Sequence, residues 1–127
     1  MPQLEYFLVC RSISTDLHTN EITLVNVIED IFFVMGENIL LPRAVAICSW
    51  IVSEEESNRD FQAVLQIALP GFSPPSNFEM NLEKGRNRHR AIFSIMNIPV
   101  TVPGQLVFSA FLNGTLAATR IVTVRPF

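Results

Sequence analysis

At 127 residues with a formal net charge of −3 and a pI near 5.3, the chain has the length of one domain (residues 1–127), and the acidic balance argues against a nucleic-acid partner, which calls for a basic domain or stripe. A chain this long buries roughly two thirds of the surface it exposes when unfolded, so its core needs neither disulfide nor metal. Hydrophobic residues make up 49%, with ten Phe, and charged residues 17% against about 25% in a typical domain. That composition fits either a well-filled core or a core plus an apolar patch that meets another subunit.

The opening MPQLEYFLVCRS carries no basic region followed by an apolar stretch and a small-residue cleavage site, and no apolar run approaches the ~18 residues of a spanning helix. The expectation is a cytoplasmic protein with no membrane span. Short runs rich in Val, Ile and Phe then recur between Gly, Pro, Asn and Asp, the pattern of an all-β sandwich or barrel. Residues 4–14 form the first strand, with Leu4, Tyr6, Leu8 and Cys10 on one face. A polar turn at 16–20 leads to a run at 22–34, which Glu29 and Asp30 interrupt, so a bulge or break is expected there. Residues 35–42 read as a loop. The strand at 44–52 is apolar on both faces, so its outer face is expected to be covered.

Beyond the polar loop at 53–59, residues 61–69 alternate with Phe61, Ala63, Leu65, Ile67 and Leu69 inward. The PGFSPPS stretch at 70–76 cannot continue a strand, because proline lacks the amide proton of the ladder. Strands follow at 77–82 and 91–98, separated by a charged turn at 83–90. After a second proline-bounded loop, strands at 105–112 and 115–124 are joined by Asn113-Gly114, a type I′ hairpin signal. The fold class is therefore all-β, an antiparallel β-sandwich of about 7–9 strands.

Strands joined by short loops alternate in direction. The loops at 16–20, 53–60, 83–90 and 113–114 are thus expected at one, charged end. Those at 35–42, 70–76 and 99–104 are expected at the other, proline-rich and apolar. A hairpin inside 22–34 would reverse that parity.

Three local features are candidates for function. The run Lys84-Gly85-Arg86-Asn87-Arg88-His89-Arg90 presents guanidinium forks suited to an anion, with Arg86, Arg88, His89 and Arg90 as the binding set. The alternative is a solvated turn paired with Glu54-Glu55-Glu56, and no aromatic residue interleaves with the basic ones to stack bases. His18 and His89 fall in predicted loops, where a carboxylate such as Asp16 or Glu55 would make either a general base for hydrolysis. Ile39, Leu40, Leu41, Trp50 and Phe72 are the candidate interface; the alternatives are that Trp50 anchors the core and that the others plug the open end of the sandwich. No nucleophile elbow, glycine-rich phosphate loop, calcium loop or metal spacing is present, so no cofactor or metal is expected. Cys10 and Cys48 read as buried reduced thiols.

The stretches LVCRSISTDLHTNEITLVNVIEDI, LPRAVAICSWIV and IPVTVPGQLVFSAFLNGTLAATRIVTV resemble a group of small bacterial proteins described as a domain of unknown function. Arg11 and Ser12 depart from that pattern, which has an acidic residue after the cysteine. The resemblance implies an immunoglobulin-like or C2-like sandwich and no particular activity. The sequence reading is then a non-enzymatic interaction or structural module, a homo-oligomer or bound to another protein. Its alternatives are an anion-binding domain and a hydrolase.

Overall fold

The computed structural model describes residues 2–33, 39–70, 75–100 and 102–126. Among these residues nine strands follow in order: β1 Gln3–Thr15, β2 Ile22–Val27, β3 Asp30–Phe33, β4 Ile39–Ile51, β5 Phe61–Ala68, β6 Ser76–Leu82, β7 Arg88–Val100, β8 Gly104–Leu112 and β9 Thr115–Pro126. They form a four-stranded sheet, β2-β1-β4-β7, and a five-stranded sheet, β3-β9-β8-β5-β6. Every pairing is antiparallel except β3 with β9. The all-β reading is correct, and neither sheet closes on itself. No helix among the described residues is long and apolar enough to cross a membrane.

Alternation with period two builds the core. Phe7 and Val9, Ala44 to Trp50 in steps of two, and Ala91, Phe93 and Ile95 face in from the first sheet. Ala63, Leu65, Ile67, Leu106, Phe108, Ala110, Val122 and Val124 face in from the second. Trp50 is 1% exposed and Leu41 4%, so both belong to this core. Their assignment to an interface is corrected: each sits on the inner face of a central strand. Ile39 and Leu40 extend β4 where a loop was expected, but their side chains, like Phe72, lie outside the described residues.

The run at 22–34 is indeed broken, and its halves enter different sheets. Ile28 N donates to Val9 O at 2.8 Å, and Thr123 N donates to Glu29 O at 3.0 Å. These two residues carry the chain across the gap between sheets.

β1 is not straight. Cys10 stands level with Val45, and Val45 with Ser94. At about 3.3 Å per residue, a straight β1 would place its end nearly 30 Å from Arg90. Instead Arg90 Nη2 donates to Asn20 Oδ1 at 3.1 Å, and both its terminal nitrogens approach Asn20 O at 3.4 Å. The β1–β2 hairpin therefore doubles back over the outer face of its own sheet, bending where Asn26 holds φ 54°. Its half-buried residues Ile13, Ile22 and Leu24 form one face. Val45 (1%) and Ile47 (0%) are buried beneath this arm although they lie outside the inter-sheet core. This is the cover that the two-sided apolar strand called for.

Because of the arm, the 16–20 turn reaches the same end as the loops at 53–60, 83–87 and 113–114. Those loops are tied directly. Gly85 N donates to Ser57 O (2.8 Å), Val52 N to Asn87 O (2.7 Å), and Asn113 Nδ2 to Asp60 O (3.2 Å).

Candidate functional site

The basic run does not form the loop that sequence suggested. Its last three residues, Arg88-His89-Arg90, begin β7 and pair with Ile51, Trp50 and Ser49. Alternation then separates them. Arg88 and Arg90 point to the outer face of the four-stranded sheet, whereas His89, opposite Trp50, points in. His89 is 3% exposed and its ring is tilted 54° against Phe61 at 5.8 Å between centroids. Its Nε2 has no hydrogen-bond partner among the described residues. Burial holds its pKa below the ordinary imidazole value, and the nearby Arg86 charge adds to this. A neutral, buried ring is no anion ligand, so His89 leaves the binding set.

The ion pairs also differ from expectation, because those of the basic run among the described residues go to other carboxylates than Glu54 to Glu56. Lys84 pairs with Asp60 at 3.1 Å and Arg86 with Glu83 at 3.1 Å. Arg88 makes a bidentate fork with Glu5, Nε to Oε1 at 2.7 Å and Nη2 to Oε2 at 3.0 Å. A bulge between Leu4 and Tyr6 turns Glu5 to this face, where the Ser49 hydroxyl also donates to it at 2.8 Å. Arg88, then Ser49, hold the Glu5 carboxyl below the usual carboxylate range. Arg90 differs from the other three. Its partners are the neutral oxygens of Asn20, and no carboxylate pairs with it among the described residues.

These side chains line a groove of about 610 Å³, formed by Arg86, Arg88 and Arg90 with Asn20, Asn81, Met80 and Leu82. Sequence reasoning missed the last four. They come from the arm's turn and from β6, and nothing local in the chain announces that they meet β7.

The hydrolase constellation is not assembled. His18 lies in the exposed turn, where its backbone N–H, not its ring, donates to Asp16 Oδ1 at 2.8 Å. No carboxylate bonds either imidazole among the described residues. Nor does any group of three His, Cys, Asp or Glu side chains among them stand close enough for a metal. Cys10 faces out and Cys48 in, on neighbouring strands.

No family model matches the chain, and no curated protein matches it. Among solved structures, it is similar to the Pseudomonas fluorescens alkylpurine DNA glycosylase AlkC bound to DNA containing an abasic site analog. The TM-score is 0.53 and the identity 13%. The match covers 98% of this chain but only 30% of that one. What is shared is a fold, and the chain spans less than a third of the glycosylase. That finding overturns two expectations. The reading of a self-associating protein-interaction module, with its alternatives of a small-anion-binding domain and a hydrolase, gives way. So does the exclusion of nucleic acid, because this arrangement of strands occurs in a protein solved on DNA.

Proposed function

We propose that this chain is an immunoglobulin-like β-sandwich domain that binds a nucleic-acid backbone. Two features favour the immunoglobulin-like form over the C2-like one. The strand orders β1-β4-β7 and β9-β8-β5-β6 follow the two-sheet plan of that fold, and β3 adds a short parallel edge beside β9. The likeness to a DNA-bound glycosylase supports the choice of ligand class. The observation that carries the reading is Arg90, which faces the groove with a full charge and no carboxylate partner among the described residues. Arg86 is the second phosphate contact, since its exposed pair with Glu83 is of a kind worth only about 0–1 kcal/mol and exchanges readily for a phosphate. Arg88 stays with Glu5 and positions the strand end.

The acidic net charge makes the interaction local. Charges more than about 10 Å apart are screened at 0.1 M salt, so the groove, not the whole surface, meets the phosphates. Two phosphate contacts set the salt dependence. For a duplex the slope of log K against log salt is about −1.8, or roughly forty-fold weaker binding between 25 and 200 mM. Fluorescence anisotropy with a labelled 16-nucleotide strand and its duplex measures this. Arg86→Gln and Arg90→Gln are each expected to take about 0.9 from the duplex slope. Absence of binding to both probes at 25 mM salt refutes the proposal.

A further inference from the structure

The two sheets part along one open side, where the free edge of β6 faces the free edge of β7. Two hollows lie along that seam. One is the basic groove, to which β6 gives Met80 and Leu82 and β7 gives Arg88 to Arg90. The other, about 160 Å³, is lined by Ser76 and Phe78 of β6 and by Ile95, Met96 and Pro99 of β7. Both lie along one seam, basic at one end and apolar at the other. Arg90 and Met96 are six residues apart on β7, about 20 Å along the strand. That length matches roughly six stacked nucleotides at about 3.4 Å each, and fewer if the strand is extended.

The apolar end is open to solvent. Phe78 is 37% exposed and Met96 61%, though Phe78 lies on the inner face of β6, opposite Leu65. An aromatic ring at the mouth of a groove offers a face to a base, and Met a polarisable neighbour. Here the ring comes from the strand across the seam, so the basic run itself need not contain it. The apolar end selects the occupant, because only an unpaired base has a free face to lay against Phe78 and Met96.

We infer that the β6–β7 seam takes a single strand of nucleic acid, its backbone on Arg86 and Arg90 and its bases against Phe78 and Met96. This rests on the nucleic-acid reading above and adds the strandedness and path of the ligand.

The test uses the full chain with a fluorescein-labelled 12-nucleotide oligothymidine and a 12-base-pair duplex, both at 25 mM salt. The single strand is expected to bind at least about ten-fold more tightly, because one base–aromatic contact is worth about 1–3 kcal/mol. Phe78→Ala is expected to remove most of that advantage and leave duplex affinity unchanged. Met96→Glu, at an exposed position that does not support the core, is expected to do the same by placing a carboxylate beside the bases. Equal binding of both probes, unmoved by either substitution, overturns the seam while leaving the groove reading intact. Loss of all binding overturns both. An unlabelled acidic peptide that displaces the oligonucleotide at equal concentration assigns the seam to a protein ligand and also overturns it.

Discussion

His89 occupies a position where an apolar side chain would be expected. It faces inward between Trp50 and Phe61, and its Nε2 has no partner among the described residues. A buried polar atom without a partner costs about 1–3 kcal/mol. Burial also keeps the folded-state pKa below the unfolded value of about 6.5. The unfolded chain therefore binds the proton more readily, and stability rises with pH across that interval. His89 contributes no penalty of protonation above pH 6.5, and stability falls as pH drops below it. His89→Leu is expected to hold or raise the urea midpoint at pH 7.5 and to flatten its decline towards pH 5.5. A lower midpoint for the variant at every pH would mean that Nε2 has a partner after all. Glu5 and Asp16 act in a separate window. Arg88 and Ser49 lower the first, the Thr19 and His18 backbone N–H groups lower the second, and their contribution is lost only as pH falls into the carboxylate range.

Among the elements, the turns followed residue chemistry closely. Asn113 and Gly114 hold φ 47° and 82°, as the hairpin signal required. Gly114 has open space where a Cβ would stand, whereas a Cβ on Gly104, at φ 147°, would come 3.0 Å from the Pro70 Cβ. Gly114→Ala is thus expected to cost about 1 kcal/mol from backbone strain alone. Gly104→Ala is expected to cost more, since it adds a clash between two turns at the opposite end. Thermal melts of the two variants give the order, and a reversed order would refute the clash. What the sequence hid is bending and charge within strands. Periodicity reports which residues share a face but not that β1 turns back at its middle. Arg88-His89-Arg90 read as a turn because it is charged, yet it heads an edge strand, where charged side chains are tolerated and discourage further pairing. Glu5 belongs to no sequence motif, and the bulge brings it to Arg88.

At the scale of the whole molecule, two-sheet architecture and core were legible because Val, Ile, Phe and Ala alternate through long strands. The candidate groove was half legible. Its arginines alternate within one short run of sequence, but Asn20, Asn81, Met80 and Leu82 reach it from elements whose adjacency depends on sheet order and on the arm. The predicted apolar patch also resolves differently from expectation. Val45 and Ile47 face outward, yet the chain covers them with its own hairpin instead of a second subunit.

That hairpin gives the molecule a built-in pair of clocks. Cys10 lies at the bend of the arm, its thiol near Ser12 O and Val45 O, while Cys48 lies in the inter-sheet core with a pKa pushed up to about 12 by burial. Burial raises the Cys10 thiol as well, so neither reacts while the native packing holds. Lifting the arm exposes Cys10 alone; opening the core exposes both. With a thiol reagent in native buffer, two labelling rates are therefore expected, the faster at Cys10. Adding Arg90→Gln, which releases the arm's tip from β7, should quicken only that one. Equal rates at both sites would show that arm and core open as a single unit.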